Sequence, residues 1–142
     1  MLNGTEPYQI STDKSHLDVD LIHTYLSTRA YWAQGRAREV VEHSIEHSLC
    51  FGVYDSVGKQ VGFARVVTDY ATFAWLCDVF ILEETRGLGL GIRLVQSVVN
   101  HPSLQGLSNF ILATRDAHEL YRQYGGFEVL QSPERWMARP RR

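Results

Sequence analysis

The sequence is short of the features that mark specialised chains, and each shortage removes a class of function. It has two cysteines, Cys50 and Cys77. Each lies in an apolar run and neither belongs to a C-x-x-C pair, so buried reduced thiols are expected in place of a disulfide or a thiolate metal site. Four prolines and no biased tract leave no linker or low-complexity segment. Neither sign of charge dominates: 14 lysines and arginines face 16 aspartates and glutamates, a formal net charge of -2. That balance gives no overall pull toward nucleic acid, and the basic end, Arg139-Pro140-Arg141-Arg142, reads as a frayed terminus. No apolar run reaches the roughly 18 residues of a membrane span, and the opening MLNGTEPYQIS lacks the charged and apolar regions of a signal peptide. A cytoplasmic protein with no nucleic-acid and no membrane partner is expected.

What is present is an ordinary globular balance, 44% hydrophobic and 21% charged over 142 residues, which suits one domain, residues 1–142, with one core. Residues 8–12 read as a short first strand. Asp18 or Asp20 then caps a helix with Leu21, Ile22, Tyr25 and Leu26 on one stripe. The aromatic stretch 30–35, AYWAQG, breaks that period, and a second helix from Arg36 or Ala37 carries Val40, Val41, Ser44, Ile45 and Ser48. His43 and His47, four apart on this helix, have no third metal ligand in a matching position and read as polar residues on its exposed face; no metal is expected.

From Leu49 the period becomes that of strands. Residues 49–54 and 61–68 flank a turn containing Gly58 and form a hairpin, and residues 69–72 turn the chain into an apolar run, 73–82. Glu83, Glu84 and Arg86 follow, then glycines at alternate positions, Gly87, Gly89 and Gly91. Directly after them Ile92, Leu94, Val95, Val98 and Val99 recur at helical spacing up to Asn100 and Pro102. The glycine turn therefore sits at a helix N-terminus, whose free N–H groups and dipole favour an anion, and glycines leave its approach unobstructed. The spacing fits neither G-x-G-x-x-G, since Ile92 takes the third glycine's place, nor a Walker loop. A strand at 110–113, a helix from Ala117 and a last strand complete the order: strand, two helices, three antiparallel strands, helix, strand, helix, strand. Residues 135–138 around Trp136 are a further candidate edge strand.

The hexapeptide from Arg86 to Gly91, R-x-x-G-x-G, resembles the pyrophosphate loop of the GNAT acetyltransferases, which bind acetyl-coenzyme A. The later run AHELYRQYGGF, residues 117–127, is similar to that family's A-x-x-L-Y-x-x-x-G-F signature, with two departures: a doubled glycine before Phe127, and Thr114 where the family usually has Asn. The resemblance implies an α/β (α+β) fold: a central mixed, mostly antiparallel sheet with a splayed parallel strand pair, flanked by helices. It also implies acetyl transfer to a primary amine of a small molecule or peptide by direct attack.

Three tasks follow by resemblance. The pyrophosphate of acetyl-CoA would rest on the backbone of Gly87, Leu88, Gly89, Leu90, Gly91 and Ile92 with Arg86 at the rim, and the pantetheine arm would pair with the strand at Phe80, Ile81 and Leu82. Tyr121, matching the family's tyrosine near the coenzyme sulfur, would be the general acid; a phenol with an ordinary pKa near 10 keeps its proton at neutral pH. Asp78, similar to one of an acidic pair in spermidine/spermine acetyltransferases, is the candidate for deprotonating or holding the amine. Cys77 stands beside it, so the pair is incomplete, and a structural hydrogen-bonding role or a water chain to solvent are the alternatives. Tyr31 and Trp32 are the candidate acceptor-binding residues, and such aromatics suit an apolar or cationic amine. A homodimer is left open. Two other readings compete: an acyl-CoA-binding sensor without turnover, and an interaction protein whose glycine turn is purely structural.

Overall fold

The computed structural model describes residues 7–141; residues 1–6, which carry most of the leader reading, and Arg142 of the basic tail lie outside the described residues. The elements in chain order are β1 (Gln9–Ser11), α1 (Val19–Thr28), α2 (Arg38–Glu46), β2 (Leu49–Tyr54), β3 (Gln60–Thr68), β4 (Phe73–Ile81), α3 (Leu90–Val99), β5 (Asn109–Leu112) and α4 (His118–Gly125). The strands form one sheet in the order β1-β2-β3-β4-β5, antiparallel throughout except for the parallel pair β4 and β5. Only the link from β4 to β5 needs a crossover, and α3 provides it, as parallel pairing requires.

Helices cover both faces. Tyr25 of α1 stacks on Phe80 of β4 at 4.0 Å between ring centroids, and Phe80 lies opposite Phe63 of β3, so these side chains define the face toward α1 and α2. Phe51 and its register partner Ala64 point the other way, where Phe51 meets His101 just beyond α3. Leu90, Leu94, Val95 and Val98 of α3 are buried on this second face, and α4 packs beside α3. Burial of such side chains, at roughly 2 kcal/mol each, is the main drive toward this packing.

Local choices follow from the residues at element ends. Asp18, rather than Asp20, caps α1, accepting from the Leu21 N–H, while its own N–H donates to the Gln60 side chain at 2.7 Å and ties the helix start to the sheet. Asp69 accepts from the N–H groups of Ala71, Thr72 and Phe73, which fixes the turn into β4. No helix among the described residues is long and apolar enough to cross a membrane.

Three expectations are corrected. The apolar stripe of α2 is narrower than its sequence suggests: Val41 and Ile45 are buried, Val40 is half exposed, and Ser48 is buried beyond the helix end. Cys77 is only partly buried; its thiol, like that of Cys50, is pushed up by burial, to about 12 and about 11 respectively, so neither is a thiolate at neutral pH. Finally, no strand follows α4 among the described residues. Ser132 takes a left-handed φ of 54° and Pro133 opens a short 3-10 turn, Pro133–Arg135, so the chain bends where a strand around Trp136 needs to run straight. Val129 and Met137, which a paired strand would shelter, are 93% and 96% exposed.

Candidate active site

The site begins where β4 leaves β5. Their pairing runs from Phe73 opposite Asn109 to Leu76 opposite Leu112 and stops, while β4 continues to Ile81. The cause is a bulge. Across the β3–β4 ladder, Phe63 faces Phe80 and Arg65 faces Cys77, so Asp78 and Val79 together oppose the single residue Ala64. Asp78 accordingly takes a left-handed φ of 53°, and an extra residue of this kind bends and twists the strand that carries it. Beyond it β4 turns away from β5 and leaves its edge, residues 77–81, without a strand partner.

A non-glycine residue in that conformation needs support, and Asp78 has it on three sides. It is 4% exposed, yet its carboxylate accepts from Trp32 Nε1 at 2.8 Å on one oxygen and from Arg36 Nη1 at 2.8 Å and Arg65 Nε at 2.9 Å on the other. Arg65 also donates to Ser48 Oγ. Burial pushes the Asp78 carboxyl up, but the Arg65 and Arg36 charges and the bonds they donate outweigh it, and the net direction is below the usual carboxylate range. Trp32 and Arg36 lie in the loop between α1 and α2, so one buried carboxylate fastens that loop to the bulge. A charged residue inside each of two apolar strands, Arg65 in β3 and Asp78 in β4, is a sequence signal for a buried pair; read together, they point to the network that neither shows alone.

At the far end of β4 the glycine turn leads into α3. Gly87 and Gly89 have φ of 83° and 79°, which only glycine adopts without strain, and Gly89 is the residue before the first turn of α3. The first helical bond is Arg93 N–H to Gly89 O at 3.1 Å, and no side chain caps the helix. The N–H groups of Leu90, Gly91 and Ile92 therefore have no partner within the helix. Gly91 differs from the other two: its φ is not positive, and a Cβ there meets nothing within 4 Å. Arg86 is already engaged, donating to Ile81 O, to Tyr25 Oη and to Glu83, whose other oxygen accepts from Arg29 at 2.6 Å.

Between these ends the splayed strands open into a cleft of about 780 Å³, roofed by the α1–α2 loop on one side and by the segment from β5 into α4 on the other. Every expected site residue except Leu82, which is buried in the core, and Leu88, on the exposed turn, lines it. Tyr121, at 8% exposure, reaches it from α4; burial, with a smaller contribution from Tyr31, pushes its phenol up to about 12. Thr114, where the resemblance expects Asn, accepts the N–H of Ala117, the residue before α4, at 3.1 Å and so fixes the turn into that helix, which no side chain caps. Tyr31 and Trp32 stand edge to face at 5.1 Å on the loop side. Tyr31 is also held from across the cleft, by the Arg115 N–H donating to its hydroxyl at 3.1 Å and by the Arg115 guanidinium 3.9 Å above its ring. Nothing in the spacing of residues 31 and 115 announces that contact. His43 on α2 and His47 just past its end are exposed and outside the cleft lining; Glu46 brings its carboxylate within 4.8 Å of both, a third possible ligand that the sequence reading did not count.

The comparisons with known proteins agree with this geometry. The family model described as an acetyltransferase (GNAT) domain matches residues 46–128, which hold both motifs, the bulge and the glycine turn. A Gibberella zeae chain named as an acetyltransferase, with no substrate stated, is 32% identical over 85% of this chain and 83% of its own length. The crystal structure of a GNAT-family acetyltransferase from Xanthomonas campestris pv. campestris is 50% identical, with a TM-score of 0.90 over 94% of this chain and 92% of that one. The fold extends further: glucosamine-6-phosphate N-acetyltransferase from Arabidopsis thaliana superposes with a TM-score of 0.62 at 15% identity, over 94% and 97% of the two chains. The chain belongs to the GNAT family of acetyltransferases.

Proposed function

We propose that residues 1–142 act as one cytoplasmic domain that moves an acetyl group from acetyl-CoA to a primary amine by direct attack. The observation that carries this reading is the coincidence, in one cleft, of an uncapped helix N-terminus, an unpaired strand edge and a buried tyrosine. The residues present fit a coenzyme A molecule. The α3 N–H groups of Leu90, Gly91 and Ile92 would hold an anionic group, and Gly91, which neither its φ nor its packing obliges to be glycine, is explained by a ligand that needs the space of a side chain. The edge of β4 at Phe80 and Ile81 offers backbone groups to an extended ligand arm. Bound there, acetyl-CoA supplies an activated acetyl thioester.

The chain's own groups then have separable tasks. Tyr121 keeps its proton across the neutral range, because its pKa is raised, and Oη can donate it to a departing sulfur. Asp78 is a poor proton acceptor: three donors occupy its oxygens and its affinity for a proton is lowered. We assign it the alternative role of anchoring the α1–α2 loop to the bulge, with the amine's proton lost to solvent through the open cleft. Arg86 is assigned chiefly to the wall it forms with Glu83, Tyr25 and Ile81, its exposed side completing the rim. The reading is tested by following free thiol release from acetyl-CoA with a panel of amines, and by the Tyr121→Phe enzyme. Binding of acetyl-CoA without release in the presence of any amine would favour a sensor in place of an enzyme.

A further inference from the structure

The cleft's acidic side chains decide what kind of amine it can recognise. Three line it: Asp78, Glu83 and Asp116. Asp78 is occupied by Arg36, Arg65 and Trp32, and Glu83 by Tyr25, Arg29 and Arg86. Asp116 is exposed and faces Arg115 at 3.3 Å. A polyamine or a lysine side chain brings a cation that needs a carboxylate; Asp78 and Glu83 already hold cations, and the exposed Asp116 stands next to the positive Arg115, which offsets its pull on a second cation. The face of Tyr31 already carries the Arg115 guanidinium, which leaves no place there for a second cationic group.

The arginines are unequal. Arg29, Arg36, Arg65 and Arg86 are committed to Glu83 or Asp78. Arg115 is held in place by its ring stack and its main-chain bond to Tyr31 Oη, while its charge meets only the exposed Asp116, a contact worth little in water. Stacking fixes the plane of a guanidinium and leaves its edge for a carboxylate, the geometry in which arginine binds two oxygens at once. Arg115, Tyr31 and Tyr121 all line the same cleft, so a carboxylate held by Arg115 lies in the space that the proposed proton donor faces.

Apolar surface completes the pattern. Trp75 is opposite Val67 in the β3–β4 register and so shares the face of Arg65 and Phe63, the face on which Trp32 meets Asp78. Trp75 and Trp32, 39% and 41% exposed, both line the cleft.

We propose that the acceptor is a free amino acid with an aromatic or large apolar side chain, its carboxylate received by Arg115 and its side chain by Trp32 and Trp75. This inference rests on the acetyl-transfer reading above and narrows it. In the transfer the amine nitrogen gains the acetyl carbon and loses one proton, while a proton takes the acetyl group's place on sulfur; the products are an N-acetyl amino acid and a thiol.

The test compares molecules that differ only in charge. L-Tyrosine should be acetylated with kcat/KM roughly 10- to 100-fold above L-tyrosinamide, the range expected when one charge-assisted contact is lost. The amide's amine is the less basic and is more often neutral, so any bias runs against this outcome. In Arg115→Met the acid-to-amide ratio should fall toward one, and Arg115→Lys should restore part of it. A second readout needs no turnover: in the presence of coenzyme A, calorimetry should show N-acetyl-L-tyrosine binding at least tenfold tighter than N-acetyl-L-tyrosinamide, with the difference lost in Arg115→Met. Equal use of acid and amide, a preference for spermidine or tyramine, or a ratio unmoved by Arg115→Met would overturn the proposal while leaving acetyl transfer intact. Absence of transfer to every amine together with absence of N-acetyl-L-tyrosine binding would overturn both.

Discussion

Replacing Asp78 by Asn separates an anchoring carboxylate from a catalytic one. The substitution keeps the shape and removes the charge that holds Arg65, whose side chain is 10% exposed, and Arg36, at 22%. The amide oxygen can keep the Trp32 bond, but the new NH2 group turns toward two guanidinium groups that have nothing to accept it. Removing one partner of a buried ion pair costs about 3 to 5 kcal/mol, and the partial exposure of Arg36 places this case near the low end, about 3 kcal/mol. With an unfolding entropy of about 2.1 cal/mol/K per residue, a chain of this length loses about 0.3 kcal/mol per degree, so the melting temperature should fall by about 10 °C. The sign of the pH dependence follows from the lowered carboxyl. Its stabilisation is fully present above the unfolded pKa, near 4, and is lost as pH falls through the folded value. The gap between the two proteins should therefore be constant from pH 5 to 8 and close only in acid. Scanning calorimetry across that range, with kinetics normalised to folded protein, decides the matter. A variant that melts within about 2 °C of the parent but has a tenfold higher acceptor KM would refute the anchoring role.

Three further outcomes are expected. Tyr121→Phe should lower kcat by roughly 10²- to 10⁴-fold with acetyl-CoA affinity nearly unchanged, measured under conditions where chemistry limits the rate; full turnover would assign Tyr121 to packing. Because the phenol is pushed up to about 12, the parent's rate should show no loss of this acid below about pH 10. Gly91→Leu should weaken acetyl-CoA binding in calorimetry without lowering the melting temperature, since its backbone is unstrained and its surroundings are open. Gly89→Ala, at a φ of 79°, should instead cost about 1 kcal/mol of stability, and the contrast distinguishes a ligand cradle from a backbone requirement.

Most of the fold could be read from the chain because its strongest periods are unbroken. β2 lies over Leu49–Tyr54 as expected, β4 ends one residue before the apolar run does, and α3 begins at Leu90, so it takes in Gly91, the last of the three glycines assigned to the turn. What could not be read is the feature that makes the cleft. Ala74, Leu76, Asp78 and Phe80 are buried at a perfect interval of two, which looks like one face of a regular strand. In the structure Leu76 pairs with Val66 on the α3 side, while Asp78 and Phe80 meet Trp32 and Tyr25 on the α1 side. The bulge adds one residue and switches the face, so the interval survives and the sequence shows no sign of the change. Of the Asp78 partners, Arg65 is signalled as the other charge inside an apolar strand, whereas Arg36 and Trp32, 42 and 46 residues away on the α1–α2 loop, carry no signal of the contact. The missing last strand has another cause: the side chains around Trp136 suit a strand, but Ser132 and Pro133 bend the chain, so residues 128–136 lie near residues 108–111 of the β5 end without joining the sheet.

The central claim is tested most directly by incubating the protein with isotopically labelled acetyl-CoA and an equimolar mixture of amines, then identifying labelled products by mass spectrometry. The account predicts label in an N-acetyl amine, released together with free coenzyme A and strongly diminished in Tyr121→Phe. Saturable acetyl-CoA binding with no label transferred to any amine would contradict it and leave a binding module built on an acetyltransferase fold.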